Sequence, residues 1–271
     1  MNLTKIVSIC FGIIADIRFY KPLQNFINKT YIKAFDISLD RFQPYYCYKS
    51  LNELFTRGLR EIVEFDKKED IFISPSDSFV MQSGSVSNNR ALQIKGFSYS
   101  VESLLKDKLD SSFSYVNLYL SPKDYHRYHS PCDMEVVSIT HFKGALLPVH
   151  KKSLNKNTNL FVRNERVVLK ARDRFGDYIY FVAVGALNVG KIIFYIEPRL
   201  CENYRGKSRK FLYKQPRLIK KGDELGMFKM GSTIVLFAKN VEILKDNIKV
   251  SFGEKLFKKL VESTKGDKNG F

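Results

Sequence analysis

Four histidines, His126, His129, His141 and His150, fall within 25 consecutive residues of the chain. The first two share the segment SPKDYHRYHSP. Imidazoles at i and i+3 can lie on one helix face and hold a metal between them. That use needs further ligands, and no third His or Cys stands at motif spacing, so the sequence implies no metal site. The flanking Pro122 and Pro131 favour a loop over a helix. Proton transfer suits the pair better, because an unperturbed imidazole titrates near pH 6.5 and can both take and give a proton. A purely structural role for these histidines also fits their residue type.

A second candidate lies far downstream. In FKMGSTIVLF the step Gly231-Ser232-Thr233 stands directly before a β-branched, apolar run. Gly and Ser are ordinary turn residues, so the step reads as a turn at the mouth of a strand. Its hydroxyl is also a nucleophile wherever a base can take its proton. A serine hydrolase built from Ser, His and Asp stays open, although no G-x-S-x-G elbow is present.

The rest of the chain must position these groups. Its 271 residues suit one large domain or one domain with an appendage, and 44% hydrophobic residues can fill a core. Helical patterns cluster early, at 3–17, 22–34 and 50–57, and another follows Ser100, a candidate N-cap. After residue 70 the pattern turns to strands: Tyr115–Leu120, Tyr178–Val184, Lys191–Ile196, Ser232–Ala238 and Ile248–Phe252. The basic stretch Arg199–Lys221 reads as a loop. The expected class is α+β, a mostly antiparallel β body, barrel- or sandwich-like, under an N-terminal helical layer. Residues 1–65 form the layer and residues 66–271 the β-rich part.

Charge points to a polyanionic partner. There are 45 Lys and Arg against 28 Asp and Glu, a net charge of +17. Nucleic acid is one such partner, yet no RRM, KH or zinc-finger signature appears. An anionic membrane surface is the other. IVSICFGIIA after Lys5 is too short to span a bilayer and lacks a small-x-small cleavage site. Ile6, Ile9, Cys10, Ile13, Ile14 and Ile17 make one apolar stripe, with Lys5, Arg18, Lys21, Lys29 and Lys33 around it. Such a stripe either packs on a core or lies in a membrane interface. Cys10, Cys47, Cys132 and Cys201 are widely spaced, without C-x-x-C, which favours a reducing compartment over a disulfide scaffold.

Seven stretches, in order, fit one family: FTRGL (Phe55–Leu59), ISPSDS (Ile73–Ser78), IKGFSYSVESLL (Ile94–Leu105), SPKDYHRYHSPC (Ser121–Cys132), NLFVRNERV (Asn159–Val167), VGALNVGKI (Val184–Ile192) and KKGDELGMFKMGSTIVLF (Lys220–Phe237). Together they resemble the bacterial phosphatidylserine decarboxylase proenzymes, from about residue 20 to residue 255. The histidine block and the F-x-x-G-S-T block, in this order and separation, carry most of the specificity. One departure is Ser78, where the family has glycine after the aspartate. It makes the local turn less certain, since serine tolerates positive φ poorly.

The resemblance implies a self-cleaving enzyme. Asp77, His129 and Ser232 become a charge relay that breaks the Gly231-Ser232 bond. Ser232 attacks the Gly231 carbonyl, elimination leaves dehydroalanine at position 232, and its imine tautomer takes up water and loses ammonia, which gives a pyruvoyl group on a small chain, 232–271, beside a large chain, 1–231. That covalent pyruvoyl, derived from Ser232, is the implied cofactor. It would form a Schiff base with phosphatidylserine and release CO₂ to give phosphatidylethanolamine, with His126 serving the decarboxylation step and Arg127 in structural support. The implied partners are the lipid substrate, an anionic membrane surface and the two chains of the processed heterodimer, with no nucleic acid. The implied location is the cytoplasmic face of the cell membrane, bound peripherally.

Overall fold

A computed structural model describes residues 12–94, 96–155, 158–187, 191–200, 207–229 and 232–260. Its helices are α1 (Lys21–Phe35), α2 (Leu51–Phe55), α3 (Val101–Leu105), α4 (Lys151–Leu154) and α5 (Leu160–Arg163), and residues 12–16 are also helical. The strands are β1 (Ile71–Ile73), β2 (Ser78–Ser85), β3 (Arg90–Ile94), β4 (Phe97–Ser100), β5 (Phe113–Leu120), β6 (Arg127–His129), β7 (Met134–Phe142), β8 (Arg166–Asp173), β9 (Tyr178–Gly185), β10 (Lys191–Phe194), β11 (Arg209–Ile219), β12 (Glu224–Lys229), β13 (Ser232–Lys239), β14 (Val241–Ile243), β15 (Lys249–Val250) and β16 (Lys255–Lys259). The class is α+β, and the sheets are antiparallel.

The early helices form where capping chemistry and spacing place them. Ser50 caps α2 by accepting from the Glu53 N–H at 3.1 Å, and Ser100 caps α3 in the same way from Ser103. Pro22 sits in the first turn of α1, where a missing N–H costs nothing. The 3–17 pattern is described only from residue 12 onward. Ile6, Ile9 and Cys10 lie outside the described residues.

The main sheet has eight strands in the order β11-β7-β8-β9-β13-β5-β2-β15. The central β5, β9 and β13 are near-continuous apolar runs because both of their faces are covered, and Val116, Val182 and Leu236 are fully buried. Among the described residues this sheet is open, so the barrel form of the expectation does not hold. Closure needs edges that can pair along their length. Here one edge is the eleven-residue β11 and the other is β15, two residues long.

Three local readings are also corrected. Arg209–Ile219, expected within a loop, is the edge strand β11, paired with β7. Its charges and Pro216 disguise it, yet lysine and proline are residues an edge strand tolerates. Pro216 falls between Leu212 and Arg217, where the register with β7 shifts. Second, the histidine loop contains the short strand β6, paired with β12. Third, of Ile248–Phe252 only Lys249 and Val250 pair as a strand, with Phe79 and Ser78.

Candidate active site

Strand register gathers the sequence-derived residues at one end of the main sheet. Ser232, the first residue of β13, lies opposite Leu120, the last of β5, and opposite Gly185, the last of β9. On the other side of β5, Phe79 pairs with Tyr119, which brings the start of β2 to the same end. Ser78 and Ser232 thus flank Leu120, two strand spacings or about 10 Å apart. Asp77 precedes Ser78, and the histidine segment leaves the sheet directly after Leu120. The Ser232 side chain and Gly231 lie outside the described residues.

Ser78 settles the family departure. It is absent from the positive-φ residues, so no glycine is needed at this turn. It opens β2 and pairs with Val250.

The segment after Leu120 folds back through a turn capped by Asp124. The Asp124 carboxylate accepts from the Ser121 N–H at 2.8 Å and the Ser121 hydroxyl at 2.7 Å. The residues of FTRGL then clamp it from the N-terminal side. The Phe55 ring lies 3.9 Å from the His126 ring, centroid to centroid. Arg57, almost fully buried, donates to the carbonyls of Lys123 at 2.6 Å and Asp124 at 3.2 Å. Arg127 donates to the Thr56 carbonyl at 2.8 Å and pairs with Glu224 at 3.2 Å. A Cβ on Gly58 would stand 3.3 Å from that guanidinium, a close contact to which the arginine would have to yield.

His126 is fully buried. Its Nδ1 lies 2.8 Å from the Asp124 carbonyl. A carbonyl only accepts, so Nδ1 carries the proton and Nε2 bears the lone pair. That Nε2 is buried without a hydrogen-bond partner among the described residues. Burial first, and then the nearby Arg57 charge, push its pKa down to about 3. At neutral pH His126 is therefore an uncharged acceptor.

His129 is in the same tautomer. Its Nδ1 donates to the Gly222 carbonyl at 2.8 Å, and its Nε2 meets the Tyr125 hydroxyl at 2.9 Å. Its ring stacks on Phe252 at 3.9 Å. Burial lowers its pKa, while the hydrogen bond to Gly222 and the Glu224 charge oppose this. Asp77 does not reach it. The Asp77 carboxylate accepts from Arg41 at 3.0 Å and from the Phe252 N–H at 2.8 Å. Register places the start of β2, after Asp77, at the same sheet end as the backbone of Ser232, and the histidine segment follows the adjacent Leu120, but the Asp77–His129 hydrogen bond is not made. His141, by contrast, pairs with Glu165 at 3.1 Å, both buried, and His150 lies on the surface.

Comparison with known proteins decides the family. The family model described as phosphatidylserine decarboxylase matches residues 51–258. The chain belongs to the phosphatidylserine decarboxylase family. It is 46% identical over 260 residues to the "Phosphatidylserine decarboxylase proenzyme" of Helicobacter pylori strain 26695, covering 94% of this chain and 97% of that one. The Campylobacter jejuni protein of the same name is 44% identical over 272 residues, covering 97% and 100%. The one from Francisella tularensis subsp. holarctica strain FTNF002-00 / FTA is 31% identical over 249 residues, covering 87% and 88%. The chain is therefore a lyase of a pyruvoyl-dependent decarboxylase family. Family membership replaces the plain serine-hydrolase and nucleic-acid readings.

Sequence reasoning gave no role to Phe55, Arg57 or Tyr125. Each stands inside a quoted block, and an arginine next to glycine within an otherwise apolar stretch was the available signal for Arg57.

Proposed function

We propose that the chain cuts itself between Gly231 and Ser232 and then decarboxylates phosphatidylserine, using a pyruvoyl group made from Ser232. The observation that carries the reading is the register that sets Ser232 at the end of β13 between Leu120 and Gly185, beside the emerging histidine segment. Buried groups with no hydrogen-bond partner among the described residues, His126 Nε2, Thr233 Oγ1 and Ser78 Oγ, sit on the elements meeting at that sheet end, and they fit a small polar group formed there.

In cleavage, Ser232 Oγ attacks the Gly231 carbonyl while His129 takes its proton, giving an ester in place of the amide. Loss of the Ser232 Cα proton then breaks the Cβ–O bond and frees the Gly231 carboxylate, and the dehydroalanine left behind tautomerises to an imine that water hydrolyses to the ketone, releasing ammonia. Asp77 orients His129 once it leaves Arg41, and until then the Gly222 carbonyl holds Nδ1. The pyruvoyl supplies a ketone that draws electrons from the substrate as CO₂ leaves. His126 serves the decarboxylation step, where its uncharged, buried Nε2 is placed to accept a hydrogen bond from the substrate.

The cleaved chains stay together as a heterodimer. The small chain, 232–271, supplies β13, hydrogen-bonded on both sides to strands of the large chain, 1–231. Its Lys259 is buried and bonds Asp173 at 2.7 Å and Asp177 at 2.8 Å.

Residues 1–65 form the membrane-facing part and 66–271 the catalytic part. Among the described residues no helix is long and apolar enough to cross a membrane. Ile13, Ile14 and Phe26 are instead exposed by 60, 57 and 67%. With Arg18, Lys21, Lys29 and Lys33 they suit peripheral contact with an anionic surface on the cytoplasmic face. A gel of purified protein tests the whole reading: two fragments, 1–231 and 232–271, support it, and a single band opposes it.

A further inference from the structure

We infer that Tyr125 is a positioning residue for His129, holding the imidazole neutral and aimed until Ser232 claims its lone pair. This rests on the proposed role of His129, but the geometry stands alone. Nδ1–H is committed to the Gly222 carbonyl, so Nε2 can only accept, and the Tyr125 hydroxyl is its donor at 2.9 Å. The tyrosine is fixed in turn. It is buried, its ring lies 5.7 Å from the His129 ring at 26°, and Phe42 and Phe252 flank it at 6.0 and 6.4 Å. Its carbonyl accepts from Ser76 Oγ at 2.6 Å.

The hydroxyl favours neutral His129 for a simple reason. Its one hydrogen bond among the described residues is to Nε2, and the rings around it offer no other acceptor. A proton on Nε2 would reverse that bond and strand the buried tyrosine O–H. The other charges facing His129 are Arg127 on its own strand, Glu224 and Asp223 from the β12 side, and Asp77 behind the Phe252 backbone. The two carboxylates next to β12 favour the imidazolium, so the donor from Tyr125 opposes them. Burial pushes the Tyr125 phenol up, which keeps it a donor throughout the working pH range.

Tyr125→Phe tests this, since it keeps the ring and removes only the O–H. The first measurement is the NMR titration of the His129 ring in the full chain carrying Ser232→Ala, which needs no self-cleavage. The resonance is the one that His129→Gln removes. Tyr125→Phe should raise the midpoint by about half to one pH unit, a three- to ten-fold gain in proton affinity. In the chain with Ser232 intact, the acid limb of the self-cleavage rate should move up in pH by the same amount. An unchanged or lowered midpoint overturns the inference. If the midpoint rises as expected while no chain cleaves at all, the functional reading fails and the placement of Tyr125 stands.

Discussion

Asp77 and His129 share a neighbour instead of a hydrogen bond. The Phe252 N–H donates to the Asp77 carboxylate at 2.8 Å, while the Phe252 ring lies 3.9 Å from the imidazole. The carboxylate's other partner is Arg41, from the N-terminal part of the chain, and the base is oriented by the Gly222 carbonyl. The Asp77–His129 contact expected of such a relay is therefore replaced by separate partners for the two residues.

Releasing Asp77 should speed self-cleavage. Arg41→Ala removes the ion pair, whose arginine is 41% exposed. An exposed pair of this kind is worth at most about 1 kcal/mol, so cleavage should accelerate about two- to five-fold. Asp77→Asn should slow it. Gel time courses of freshly made protein give both rates, and slower cleavage in Arg41→Ala would make the ion pair part of the machinery.

The two site histidines should separate by step. His129→Ala removes the base for Ser232 and should reduce cleavage by about 10² to 10⁴. His126→Ala should still be cleaved, yet lose CO₂ release by a similar factor. The reverse pattern on the gel and in the CO₂ assay would exchange the roles. Wild-type rates in both variants would make the block structural.

The strand framework was legible in the sequence and the clamp on the histidine segment was not. The strands at 115–120, 178–184 and 232–238 could be read because each depends on local pattern: turn residues before an apolar, β-branched run. Ser100 was legible as a cap for the same reason, one hydroxyl three residues before the N–H it meets. The role of Arg57 was not, because its acceptors lie 66 and 67 residues away. Nor was the partner of Asp77, since nothing local distinguishes His129 from Arg41 as its contact. β11 was missed because an edge strand with one solvated side carries the charge of a loop.

The exposed apolar side chains of the N-terminal part should govern membrane contact. Deleting residues 1–34 would also strip out Asn28, whose amide bonds the Tyr45 and Tyr48 carbonyls. Point changes are cleaner. Ile13→Ser, Ile14→Ser and Phe26→Ser together should weaken flotation on liposomes containing anionic lipid, and added salt should weaken it further. Equal flotation by the triple variant at every salt concentration would assign membrane contact elsewhere.

Lys259 should hold the small chain in place. Lys259→Met leaves Asp173, itself almost fully buried, without its cation. Breaking a buried pair costs about 3 to 5 kcal/mol. Urea unfolding of the uncleaved Ser232→Ala chain should show a loss of that size. A loss below about 1 kcal/mol would mean that the pair contributes no more than a surface contact.

Intact mass spectrometry of the purified chain reads self-cleavage at Gly231-Ser232 from the masses of its products. Wild-type protein should give a fragment ending at Gly231. Its second fragment should begin at position 232 and weigh less than the unmodified 232–271 peptide, by the difference between an N-terminal serine and a pyruvoyl group. Ser232→Ala should give the single uncut chain. One full-length mass for wild type, or normal fragments from Ser232→Ala, would rule out serine-driven cleavage at this bond.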